Sequence, residues 1–163
     1  MLAAARYGIA NQYPDDDSTK EVLLQADGLE FAGIGDRHVL ICWANGEDSD
    51  NGTRISQIVQ LSGGPGNYNF YTPSVQKQSL QSLKHHTFYS LGHYTRDQRD
   101  QIIALAKAIK YDKKSRVNSC RTWTRDLLEA MVNAGMLSQT IFDEIDASVP
   151  LKRRVPEITD DAV

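Results

Sequence analysis

Thr87-Phe88-Tyr89-Ser90-Leu91-Gly92-His93-Tyr94-Thr95-Arg96-Asp97-Gln98 is where the chain changes character. Up to Tyr94 the stretch is rich in strand formers and reads as a β-strand. Thr95 followed by Gln98 then matches a capping box, in which each side chain satisfies the other residue's backbone amide. Behind it Ile102, Leu105, Ala106 and Ile109 recur at helical spacing, which predicts a helix from about Arg96 to Lys110.

Upstream of that switch the signals are those of strands. Val22, Leu23 and Leu24 form a short apolar segment closed by Asp27-Gly28. Arg37 to Trp43 is a stronger strand, bounded by Gly35-Asp36 and Asn45-Gly46. Asn45 to Thr53 reads as a hydrophilic hairpin loop, and Arg54 to Leu61 as the partner strand. Gly63-Gly64-Pro65-Gly66 ends that strand. It is a turn and not a phosphate loop, because no Lys-Ser/Thr follows and no helix begins there. Asn67 to Tyr71 is a third candidate strand, with Pro73 after it.

Downstream, Cys120, Trp123, Leu127, Ala130, Met131 and Ala134 mark one face of a second helix, with Gly135 where a C-terminal cap belongs. A shorter helix is expected from Ser138 to about Ala147. Strands first and helices after predicts an α+β fold, an antiparallel sheet of about four to five strands followed by two to three helices. Residues 1–20 read as a polar, loosely held arm, 21–150 as a single domain and 151–163 as a polar tail.

Composition narrows the function classes. The 163 residues suit one domain, and 40% hydrophobic with 24% charged residues points away from disorder and fibres. The net charge of -3 argues against nucleic acid as a partner, and Leu151-Lys152-Arg153-Arg154 is too short a basic run to reverse that. No apolar stretch nears the ~20 residues of a membrane span, and the N-terminus lacks the basic start and apolar core of a signal peptide. A cytoplasmic protein is therefore expected, with both cysteines as free thiols. No cofactor motif is present.

Of the two cysteines, Cys42 lies mid-strand between Ile41 and Trp43 and reads as core. Cys120 follows Asn118 and Ser119, both good N-cap residues, which sets its sulfur in the first turn of a helix. There the free amides and the helix dipole favour a thiolate and can hydrogen-bond an oxyanion beside it. The plain alternative is a small buried hydrophobe packed on Trp123. His38 opens a strand on which His38, Leu40 and Cys42 share one side, and it is the candidate base if that side meets the helix. Gln60, within an apolar run, needs a partner if buried and suits the role of orienting His38, unless it simply faces solvent. His85 and His86 are adjacent and diverge on a strand, so they do not make one metal site. His93 is a rival base.

The order His38-Val39-Leu40-Ile41, then Val59-Gln60-Leu61, then Asn118-Ser119-Cys120 resembles the circularly permuted papain-like proteins, such as the lecithin:retinol acyltransferase and NlpC/P60 relatives. The resemblance spans roughly residues 36–135 and implies a permuted papain-like fold with Cys120 as nucleophile, His38 as base and Gln60 as the third polar residue. The chain departs from the acyltransferase pattern at Val39, where a tryptophan is usual. Ser119 is inserted before the cysteine, and Arg121-Thr122 replace Glu-His. Cys120-Arg121-Thr122-Trp123 also looks like a motif of small fungal domains of unassigned activity.

These features lead to a thiol enzyme acting on an acyl or amide group, as amidase, peptidase or acyltransferase, with a small-molecule or peptide substrate. Two alternatives stand beside it. One is a non-catalytic binding or regulatory module of the same fold. The other is a small-molecule enzyme using the cleft without covalent catalysis.

Overall fold

The computed structural model describes residues 9–48, 50 and 52–158. Its strands are β1 (Lys20–Asp27), β2 (Val39–Asp48), β3 (Thr53–Val59), β4 (Leu61–Gly64), β5 (Asn67–Phe70), β6 (Val75–Ser79) and β7 (His86–Tyr94). A one-turn helix, α1 (Leu80–Leu83), precedes β7, and α2 (Arg96–Ala108), α3 (Cys120–Asn133) and α4 (Gln139–Ser148) follow it. The architecture is α+β, as expected. An antiparallel five-stranded sheet runs in the order β6-β3-β2-β1-β7, and β4 and β5 form a separate two-stranded sheet.

Three strand readings need correction. Arg54 to Leu61 is not one strand: β3 ends at Val59, β4 starts at Leu61 in the other sheet, and Gln60 is the corner between them. Asn45-Gly46 is not the hairpin turn. β2 continues through it, with a register shift between Ala44 and Gly46, and a Cβ on Gly46 would lie 2.9 Å from the Tyr13 ring. That glycine serves close packing, so the loop is shorter than its composition suggests. β6 carried no readable signal, because in Val75-Gln76-Lys77-Gln78-Ser79 Val75 is the one fully buried residue. It is an edge strand.

The helices follow their caps. Thr95 and Gln98 form the reciprocal capping box of α2, and the Ser138 hydroxyl accepts from the Ile141 amide to start α4. At the end of α3, Gly135 has φ 74, and the Met136 and Gly135 amides bond Met131 and Val132 carbonyls. These two bonds make a Schellman closure that a residue with a Cβ resists.

The main core joins Val22, Leu24, Val39, Ile41 and Trp43 of the sheet to Cys120, Trp123, Leu127 and Met131 of α3. The first turns of α3 are buried all round, Thr122 and Thr124 included, not along one face. The helix runs between the sheet and α4, so polar positions are enclosed too.

The arm is not loosely held where it is described. Arg99, 0% exposed, donates from Nε and Nη2 to both carboxylate oxygens of Asp15 at 2.9 Å and to the carbonyls of Ser18, Tyr94 and Asp16. Burial raises the Asp15 carboxyl, but hydrogen bonds from Arg99 and Lys20 outweigh it and bring the pKa to about 2. The tail is likewise anchored at its start, where Leu151 joins the core. None of the described helices is long and apolar enough to cross a membrane.

Candidate active site

Ser119 caps α3: its hydroxyl accepts from the Arg121 amide at 3.2 Å, and its carbonyl accepts from Thr122 and Trp123. Cys120 is therefore the first residue of the helix, as its flanking residues predict. The sulfur lies 4.0 Å from the Arg37 carbonyl oxygen, and the residue is 6% exposed.

His38 arrives by a different route from the one its spacing suggests. Val39, Ile41 and Trp43 share the core with Cys120, whereas Leu40 and Cys42 pack with Ile58 in a second cluster on the opposite face. Strict alternation would send His38 away from α3 with Leu40 and Cys42. His38 instead sits one residue before β2, with its carbonyl still accepting from the Asp27 amide at 3.0 Å. Outside the pleated stretch the side chain is free of the period of two, and Cys120 is the main influence on its ring.

Gln60 completes the group. Its Oε1 lies 2.6 Å from His38 Nε2. The corner between the two sheets makes this contact possible, since Gln60 belongs to neither ladder. The hydrogen bond with Cys120 is the largest influence on the His38 imidazole. It outweighs burial, which opposes the charge, and with the Cys120 charge, Gln60 and Asp27 it raises the pKa from 6.5 to about 9. At neutral pH the ring is thus a cation beside the sulfur, oriented by an amide oxygen. That arrangement can supply a proton to a leaving group.

Several neighbours carried no sequence signal. Tyr68 is buried in the core beside Cys120. Its hydroxyl is pushed up first by burial and then by the charges of Asp36, Cys120 and Glu157. Asp36 Oδ1 accepts from Arg121 Nε at 2.8 Å. The Arg121 guanidinium also stacks 5.0 Å over Phe31 and donates to the Pro150 carbonyl. Asp36 stood in the sequence as part of a strand-bounding Gly-Asp pair, and Tyr68 as one aromatic in a short strand. Their roles depend on chain distant from them.

The other histidines lie elsewhere. His93 pairs with Glu21 and His86 with Asp27, at opposite ends of β1. Six residues of strand separate those ends, roughly 20 Å at ~3.3 Å per residue. His38 is at the Asp27 end and His93 is not, so the rival base is out of reach. His86 Nδ1 lies 3.4 Å from Asp27 Oδ1, and His85 is exposed.

No family model matches this chain, nor does any curated protein or solved structure.

Proposed function

We propose that the chain is a thiol enzyme of the Cys-His type, with a permuted papain-like arrangement in which the histidine strand precedes the cysteine helix. One observation carries this: Gln60 Oε1 holds His38 Nε2 at 2.6 Å, and the Cys120 sulfur lies 4.0 Å from the Arg37 carbonyl, one residue before His38, with Cys120 the main influence raising the imidazole. A merely packed cysteine has no use for an oriented imidazolium beside it.

In the proposed cycle the Cys120 thiolate attacks a carbonyl carbon, and the carbonyl π electrons move to oxygen. When that intermediate collapses, the C–N or C–O bond breaks, and the leaving amine or alcohol takes the proton from His38. The acyl group remains on Cys120 as a thioester. Water, an amine or an alcohol then gives its proton to His38 and attacks the thioester, which releases the thiolate. Gln60 holds the ring through both steps. Water as acceptor makes the enzyme an amidase or peptidase, and a second nucleophile makes it an acyltransferase.

The 6% exposure of Cys120 favours a second reading, a binding or regulatory module of the same fold. Incubation with p-nitrophenyl acetate, followed by peptide mapping, separates the two. A thiol enzyme accumulates acetyl on Cys120 and loses that ability in His38→Ala. Equal labelling of wild type and His38→Ala would sink the enzyme reading.

A further inference from the structure

The segment after α4 crosses the residues that flank the catalytic pair. Arg37, next to His38, donates to the Val149 carbonyl at 2.9 Å. Arg121, next to Cys120, donates to the Pro150 carbonyl at 3.0 Å. Beyond Leu151 the manner of attachment changes: residues 152–156 are exposed, so buried side chains no longer hold the chain. What holds it is the Arg154–Asp126 ion pair, at 2.7 Å, and then Asn118. Its Oδ1 accepts from the Val155 amide at 2.9 Å, and its Nδ2 donates to the Val155 carbonyl at 2.7 Å and to Glu157 Oε1 at 2.8 Å.

This pattern spends both donors and the carbonyl of one carboxamide on a single stretch of backbone plus one carboxylate. Asn118 thereby takes the place of a neighbouring β-strand residue, reading an extended peptide through N–H and C=O without regard to its side chain. The Val155 side chain is 46% exposed, in keeping with that. Asn118 itself is 4% exposed and stands two residues from Cys120, within about 7 Å between Cα atoms.

We propose that Asn118 is a docking point for extended polypeptide beside Cys120, and that residues 155–157 are its resident occupant and gate access to the thiol. The ligand class is a peptide whose backbone pairs with the carboxamide and whose acidic side chain lies two residues further on. The gating rests on the thiol-enzyme reading, whereas the docking does not. A segment with exposed side chains, held by the hydrogen bonds of one carboxamide, opens far more often than the core, so the site is closed at rest yet available.

The test truncates the chain after Arg154, which keeps Leu151 in the core and the Arg154–Asp126 ion pair. Iodoacetamide labelling of Cys120 should rise by about tenfold or more, as expected for losing the three hydrogen bonds of Asn118. The peptide acetyl-Arg-Arg-Val-Pro-Glu-Ile-amide, added in trans, should bind the truncated protein saturably by fluorescence anisotropy and slow labelling again. Asn118→Asp in the full chain should mimic truncation, because a carboxylate repels both the Val155 carbonyl and Glu157. It checks the result if the truncated chain melts early. Unchanged labelling in both variants, or a peptide that neither binds nor protects, overturns the proposal. Saturable binding by a truncated protein whose Cys120 labels no faster than an ordinary thiol supports the docking and sinks the thiol-enzyme reading instead.

Discussion

Cys42 and Cys120 are both buried thiols, 0% and 6% exposed, and they differ in what surrounds the sulfur. Cys42 sits mid-strand in β2 with Leu40 and Ile58 as its cluster. Burial pushes its pKa up from 9.0 to about 11, opposed weakly by Arg54. Cys120 starts a helix and is the main influence that raises the His38 imidazole to about 9. Burial without a partner disfavours charge on sulfur, and burial beside an oriented cation does the reverse. Low exposure alone therefore says nothing about whether a cysteine reacts.

The contrast is broken most severely by removing the base. His38→Ala should slow acylation of Cys120 by about 10²–10⁴-fold while leaving Cys42 as inert as before, followed by mass spectrometry over time. A slowing below about threefold would mean that the imidazole does not activate the sulfur.

A lesion far from either thiol should do the opposite. Asp15→Ala leaves the buried Arg99 guanidinium without its carboxylate, at a cost of about 3–5 kcal/mol in urea unfolding. Labelling of Cys120 in the folded protein should stay the same. The Asp15 contribution is present above pH 3.8 and is lost as pH falls through about 2. A stability curve flat across that interval contradicts the ion pair.

Gln60→Ala should cost about tenfold in acylation, the worth of one hydrogen bond to a charged ring. It should leave the alkylation rate of denatured protein unchanged. An effect as large as that of His38→Ala would mean that Gln60 does more than orient.

The smallest effect is expected at Cys42. Cys42→Ala should destabilise by about 1 kcal/mol without changing Cys120 chemistry. Alkaline unfolding sharpens the distinction. The His38 contribution is full below pH 6.5 and fades as pH rises through about 9. The Cys42 contribution, from keeping its thiol neutral, is full below 9.0 and fades toward about 11. His38→Ala should remove the lower of the two declines and Cys42→Ala the upper one, measured as urea midpoints against pH.

How much of this was legible depended on range. Ser119-Cys120 announced a helix start because capping is written in neighbouring residues, and Thr95 with Gln98 did the same for α2. Alternation assigned Cys42 to the core correctly and misdirected His38, because a residue just outside a strand no longer obeys the pleat. Gln60 was noticed as a polar residue in an apolar run. Its corner position was not legible, since the change of sheet follows from how β4 pairs with β5. Arg99 and Asn118 were invisible as anchors: each acts on chain dozens of residues away, and nothing local distinguishes them from solvated side chains.

The most direct test of the central claim is the rate of iodoacetamide labelling at each cysteine of the folded protein across pH, located by peptide mapping. Because residues 155–157 are proposed to gate the thiol, the truncated chain is measured alongside the full one. The account predicts that Cys120 of the truncated chain reacts at pH 6 well above the rate of a free thiol with pKa near ~8.5, and that Cys42 reacts only after unfolding. A Cys120 that follows the pH curve of an ordinary thiol, in both forms, would contradict it.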